Sequence, residues 1–381
     1  MLTAPQADAQ GAALITQVVQ DLAQLPGDVQ ALFAQAEALD PQGGLAWYQN
    51  LVHTVFRVDA QPTCVLVLRE DGRAIAALPV CLRGHMLGGR AAVLGNYYTT
   101  LFVPALADGV QTAQLAVLLR DLRQLHGPLR SLRLAPMDTG AASFELLRQA
   151  LQEAGWSVFD FFSFGNWYLP VNGNASDYLA TRPGALRSTL RRMGKKFAAG
   201  GGRLEVLSGA DAAERGLAAF NAVYGLSWKR PEPYPLFMPG LAALCASQGW
   251  LRLGVAWLGT RPVAAQLWIV AHGKAQIYKL AYDESCAQWS PGSLLSAELM
   301  RHVIDIDGVA EVDYLSGDDA YKQVWMSQRR ERRGLVAYNP RTIAGLWGAA
   351  VEHTARRFKP LRQKVRSRLQ SRDNTSPVQP P

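Results

Sequence analysis

The sequence predicts a mixed α/β (α+β) fold of two fused, similar halves, each a mixed central sheet flanked by helices, followed by a basic helical tail. Three observations carry this expectation. Two apolar hairpins of matching composition occur, one in residues 62–82 and one in residues 251–271. The second is followed by loop, helix and strand in that order. The chain has 381 residues, 49% hydrophobic and 18% charged, which exceeds one ordinary core and excludes disorder for most of the length.

In chain order, residues 1–26 are rich in Ala and Gln and read as a tail or loose helix without a candidate site. The first half is expected over 27–165, the second over 166–340, and the basic tail over 341–381. Pro62–Leu82 holds two apolar runs around Asp71-Gly72, a strong hairpin signal. Helices are predicted near 110–126 and 142–154. In Ala185–Phe197 the residues Leu186, Leu190, Met193 and Phe197 recur at helical spacing and leave Arg187, Arg191 and Lys195 on another face. No acidic residue lies between Tyr178 and Leu204, so this face is either solvated or a cationic rim for a phosphate-bearing substrate.

A meander starts at Leu251, turns at Gly259-Thr260, runs over 262–271, turns at Gly273-Lys274 and continues over 275–282. Arg261, Val263, Ala264 and Ala265 repeat Arg73, Ile75, Ala76 and Ala77 at the same place after the turn, which suggests duplication. Ser290-Pro291-Gly292 then precedes a predicted helix over Ser293–Ile306 and a strand around Glu311–Leu315.

The net charge of +8 comes from one place. Arg356, Arg357, Lys359, Arg362, Lys364, Arg366, Arg368 and Arg372 follow His353 with no acidic residue among them, and without these eight the chain is formally neutral. Phe358, Leu361, Val365 and Leu369 add an apolar stripe, so residues 353–372 read as an attachment to an anionic membrane surface or as a solvated basic helix. No basic residue precedes Arg57, and no apolar run approaches the roughly 20 residues of a membrane span. A cytoplasmic protein, peripheral to the inner face of the membrane, is the expectation. Cys64, Cys81, Cys245 and Cys286 lack metal-ligand spacing and read as reduced, buried thiols, and no metal site is expected. The six histidines read as structural or exposed. The absence of a Gly-x-Ser-x-Gly elbow, a P-loop and a dinucleotide fingerprint removes hydrolase, ATPase and dehydrogenase readings.

From Leu186 to Trp325 several ordered segments resemble the acetyltransferase-like (GNAT superfamily) family of the CelD/BcsL type, related to Fem-type aminoacyl transferases. They are the basic helix, Gly249-Trp250-Leu251-Arg252-Leu253, Gly259 to Gln266, Tyr282-Asp283, Ser290 to Leu295, and Val312 to Trp325. The first half resembles the family more weakly, through its hairpin and Leu94 to Tyr98. The Gln/Arg-x-x-Gly-x-Gly/Ala pyrophosphate loop of ordinary acetyltransferases is missing. Acetyl-CoA or another acyl-CoA as donor is therefore what the resemblance implies, not what a phosphate motif shows.

The resemblance implies an N-acyltransferase that moves an acyl group to an amine acceptor, small or lipid-linked, in cell-envelope or polysaccharide metabolism. Ser290, Pro291, Gly292, Ser293 and Leu294 become the donor-binding candidates, because a helix start presents unpaired N–H groups to phosphate or an oxyanion, unless the segment is only a turn. Lys322, Asp313, Tyr321 and Tyr282 become the catalytic candidates. Asp313 would take the amine's proton or merely hold the next loop, Lys322 would stabilise charge or lie at the surface, and the tyrosines would protonate the thiolate or pack. Arg187, Arg191, Gln266, Asp318 and Trp325 become the substrate-binding candidates, and Trp228 and Trp289 either wall the cleft or belong to the core. Two alternatives share the fold: a Fem-like transferase using aminoacyl-tRNA, and a non-catalytic protein attached to an anionic surface by its tail.

Overall fold

In the computed structural model, which describes residues 6–7, 13–84, 88–125 and 127–373, fourteen strands join into one sheet. Two of them, Gln6–Ala7 and Ala105–Leu106, are two-residue additions. The others form two series of six. The first series is β1 (Ala13–Val19), α1 (Gly27–Leu39), α2 (Leu45–Leu51), β2 (Thr63–Glu70), β3 (Arg73–Arg83), β4 (Gly89–Val93), α3 (Thr112–Leu122), β5 (Leu129–Asp138), α4 (Ala142–Glu153) and β6 (Ser157–Pro170). After α5 (Ala175–Ala180) and α6 (Gly184–Ala199), the second is β7 (Gly202–Leu207), α7 (Ala210–Gly225), α8 (Phe237–Ser247), β8 (Leu251–Leu258), β9 (Arg261–Ala271), β10 (Lys274–Tyr282), α9 (Pro291–Asp305), β11 (Glu311–Asp313), α10 (Ala320–Trp325) and β12 (Gln328–Tyr338). α11 (Ile343–Asp373) closes the chain.

The two series repeat one plan. Each contains a helix pair between its first two strands, an antiparallel meander, a helix, and a fifth strand parallel to the fourth. The hairpins carry the same irregularity: the pairing Leu68↔Ala76 steps to Arg69↔Ala74, and Ala256↔Ala264 steps to Trp257↔Pro262. Matching sequence and matching bulge place both turns in equivalent positions. This is a mixed α/β fold of two GNAT-like halves.

The halves are not separable along the chain. The strand order is β1-β2-β3-β4-β5-β12-β6-β11-β10-β9-β8-β7. β12, last of the second series, pairs with β5 of the first, while β6, last of the first series, pairs with β11 of the second. β6 runs unbroken through the boundary expected between residues 165 and 166. The tail expected over residues 1–26 is also corrected. Ala13–Val19 is a strand paired with β2, because Leu14 and Thr16 alternate into the interior.

One apolar core spans both halves, with Trp47 of α2 edge-on to Phe237 of α8 at 5.7 Å and Tyr98 stacked on Phe237 at 3.8 Å. Two further cores lie under α3 and α4 in the first half and under α5, α6 and α9 in the second. All four cysteines are free and buried, as their scattered positions suggested. No helix among the described residues is long and apolar enough to cross a membrane.

Candidate active site

β10 and β11 run parallel only over three residue pairs, ending at Gln276↔Asp313. Beyond that they part, and the gap is the mouth of a cavity of about 700 Å³. Residues 277–282 of β10 form one wall and Tyr314, Leu315 and Ser316 the other. β10 has a bulge here, because Leu267↔Lys279 is followed by Trp268↔Ile277 and Tyr278 is left unpaired. The bulge changes the alternation, so that consecutive residues, Tyr278 and Lys279, both reach the cavity.

The start of α9 closes one end through Gly292, Ser293 and Ser296. Pro291 suits the first helical turn, and the first backbone bond runs from Leu294 N–H to Ser290 C=O. The N–H groups of Gly292 and Ser293 come before that bond and have no acceptor within the helix. A Cβ on Gly292 would meet Tyr282 at 3.5 Å, ordinary contact, so local packing does not demand glycine there. Gln266 of β9 donates to Gly292 C=O at 3.1 Å and to Ser296 Oγ at 2.8 Å, and accepts from Trp268 Nε1 at 2.9 Å. Its amide thus pins the first turn of α9 to the sheet.

α10 closes the other side with Asp319, Tyr321, Lys322 and Trp325. Lys322 is buried, donates to Ser316 C=O and lies 3.4 Å from Asp319. Burial pushes its ammonium below the usual lysine range, and Asp319 opposes the shift. Tyr321 stands edge-on to Tyr314 at 5.7 Å, and burial followed by Asp319 raises its phenol to about 12.

The first half contributes Tyr97, Tyr98 and Thr100. The loop between α7 and α8 contributes Trp228, packed on Tyr282 at 4.9 Å, and Lys229. Glu232 anchors this loop by accepting from Tyr97, Tyr98, Tyr224 and Lys279 at 2.6–2.9 Å. Burial would raise Glu232, but the bonds from Lys279 and Tyr98 overcome it and hold the carboxyl at about 2. Three lysines, 229, 279 and 322, therefore converge on one cavity.

The predicted residues divide accordingly. Gly292, Ser293, Tyr282, Tyr321, Lys322, Gln266 and Trp325 line the cavity, whereas Ser290, Pro291 and Leu294 support it from outside. Asp313 is corrected as a base candidate. It is 2% exposed, and its carboxylate accepts from Asn166 at 2.5 Å, Leu315 N–H at 2.6 Å and Arg330 at 2.6 Å, which leaves it holding the next loop. Asp318 pairs with Arg329 at 2.6 Å outside the cavity, and its neighbour Asp319 faces in. Arg187 and Arg191 are exposed on α6 and do not line the cavity. Trp289 lies under the Lys196 ammonium at 4.9 Å instead of in the cavity wall. Sequence reasoning missed Tyr97, Tyr98, Lys229, Glu232 and Lys279. The local signals were the stretch Trp228-Lys229-Arg230-Pro231-Glu232-Pro233, an aromatic and charged loop stiffened by proline, and, for Tyr97 and Tyr98, the Leu94 to Tyr98 segment that resembles the family.

A family model described as "Acetyltransferase (GNAT) domain" matches residues 184–323. That stretch is thus similar to a GNAT-type acetyltransferase domain. Among solved structures, FemX superposes with a TM-score of 0.52 at 12% identity, covering 77% of this chain and 90% of its own. A conserved protein of unknown function from Bacteroides thetaiotaomicron gives 0.55 at 10% identity over 84% and 98%. The DUF2156 C-terminal domain of a candidate lysylphosphatidylglycerol synthetase from Agrobacterium fabrum gives 0.50 at 14% identity over 87% and 96%. At these identities the likeness is one of fold. No curated protein matches the chain.

Proposed function

We propose that the protein is an N-acyltransferase of the CelD/BcsL type, which moves an acyl group from acetyl-CoA or another acyl-CoA to an amine in the cavity between β10 and β11. The observation that carries the reading is the juxtaposition of the Gly292-Ser293 helix start with a cavity bordered by three lysines. The helix-start N–H groups suit a thioester oxygen or a phosphate, and fixed dipoles at that position favour the charge that builds up on an oxyanion. Lys322, held by Ser316 and Asp319, is a preorganised cation beside the reacting groups. Tyr282 and Tyr321 border the cavity, and we assign to them the return of a proton to the departing sulfur. We assign this chemistry to the second half, residues 166–340, with Tyr97, Tyr98 and Thr100 completing the acceptor side from the first.

We further propose a cytoplasmic location at the inner membrane face, with a lipid-linked or other envelope amine as acceptor. α11 supports this. Ile343, Trp347, Val351 and Phe358 are exposed at near-helical spacing, and the basic run of residues 356–372 follows. Phe358 is the one member of the predicted tail stripe whose side chain is described; Leu361, Val365 and Leu369 lie outside the described side chains.

A second reading replaces acyl-CoA by aminoacyl-tRNA. It is favoured by the exposed face of Arg187, Arg191, Arg192 and Lys195 on α6, which packs against α9 and would meet RNA phosphates. Transfer assays with labelled acetyl-CoA and with charged tRNA, each against a panel of amines, separate the two. Binding of neither donor would support the non-catalytic alternative instead.

A further inference from the structure

We propose that Lys229 is an internal acyl acceptor, an amine in the cleft wall that takes the acyl group from a bound thioester when no acceptor substrate is present. The inference goes beyond transfer to an external amine and rests on acyl-CoA as the donor.

The three cavity lysines are not equivalent. Lys279 is paired with Glu232 at 2.6 Å, and Lys322 is held by Ser316 C=O and Asp319. The Lys229 ammonium makes no hydrogen bond or ion pair with any described residue and lies 5.7 Å from the Trp228 ring and 5.8 Å from the Tyr224 ring. Trp228 packs on Tyr282, and Tyr282 is the ring that a Cβ on Gly292 would touch. One continuous wall therefore joins the amine to the donor-side helix start. The loop that carries Lys229 is fixed by Pro231, Pro233 and Pro235 and by the four bonds to Glu232, so little ordering remains to be done on attack.

The charges facing Lys229 are Lys279 from β10, Glu232 from its own loop, and Lys322 and Asp319 from α10 and its cap. Burial and the two lysines lower its pKa, the two carboxylates raise it, and the balance leaves the ammonium at about 8. A useful share of the amine is then neutral in mildly alkaline solution. Its lone pair attacks the thioester carbonyl, and the C–N bond forms as the C–S bond breaks. CoA leaves as the thiol with the proton that nitrogen gives up, and an amide remains on Lys229.

The test uses the full chain and acetyl-CoA, with per-lysine acetylation rates from mass spectrometry across pH and donor binding from calorimetry. Lys229 should be acetylated at least about tenfold faster than exposed Lys195, with a rate that rises through about pH 8, and Lys229→Arg should abolish that label. Acetyl-CoA binding without preferential labelling of Lys229 overturns the proposal and leaves the acyltransferase reading intact. If acetyl-CoA does not bind, p-nitrophenyl acetate replaces it. Preferential labelling of Lys229 then supports the reactive amine while sinking CoA as donor, and labelling no faster than Lys195 overturns the proposal.

Discussion

Lys322 gives its buried ammonium to the backbone carbonyl of Ser316, the residue that follows the two cavity-lining positions Tyr314 and Leu315. The bond makes this lysine both a cation of the cleft and a strut for the loop after β11. Lys322→Ala should therefore lower turnover by about 10²–10³-fold, as loss of one preorganised electrostatic contact does. It should also cost about 1–3 kcal/mol of stability, because the Ser316 carbonyl loses its partner inside the protein. Kinetics and urea unfolding of the same variant check both effects, and a change in neither would remove Lys322 from the site.

Gly292 offers a cleaner separation of binding from folding. A Cβ there has room against Tyr282, so Gly292→Ala and Gly292→Val should melt within a few degrees of the parent. Acetyl-CoA affinity should nevertheless fall by about tenfold or more for valine, since its methyl groups occupy the space a ligand needs to reach the helix start. Calorimetric titration beside a thermal melt decides the matter.

For Asp313 the expected effect is structural. Its carboxylate is buried and accepts from the Leu315 N–H, Asn166 and Arg330, so Asp313→Ala leaves the Leu315 N–H without its acceptor while Arg330 keeps Glu311, and should cost about 1–3 kcal/mol. The pH dependence of whatever activity survives should not move. A shift in the kinetic pKa without loss of stability would restore Asp313 as the base.

Glu232 makes a pH prediction. Its folded value, about 2, lies below the ordinary 4.5, so the carboxylate adds stability that is fully present above 4.5 and is lost as pH falls towards 2. Glu232→Gln should flatten that part of the acid-unfolding curve. Urea midpoints measured across this range report it directly.

Much of the architecture was legible because local chemistry specifies it. Asp71-Gly72 and Gly259-Thr260 sit between apolar runs, and helix α9 starts within two residues of its expected place. β1 was hidden because its alternation is short and follows an Ala- and Gln-rich stretch. The site was legible where residues are close in sequence, as in Gly292-Ser293 or Tyr321-Lys322. It was not legible where strands from distant parts of the chain converge. Strand alternation sets Asp313 opposite Tyr314, but only the pairing of β11 with β6 shows that the Asp313 side meets Asn166 and Arg330 rather than a cleft. Tyr97 and Lys279 meet Glu232 across 135 and 47 positions, a relation no window of sequence contains.

The exposed stripe on α11 predicts contact with anionic bilayers. Trp347, 73% exposed, should shift its fluorescence to the blue on addition of phosphatidylglycerol vesicles and stay unchanged with phosphatidylcholine. Truncation after Phe358 should abolish the shift. Equal responses to both lipids would exclude the charge-based mechanism.

The crossing of β6 and β12 makes the chain resemble a domain-swapped dimer whose two subunits have been joined end to end. A cut anywhere between the repeats would yield two pieces, each exporting its last strand and missing the one it should receive. Such pieces should be insoluble apart and soluble together.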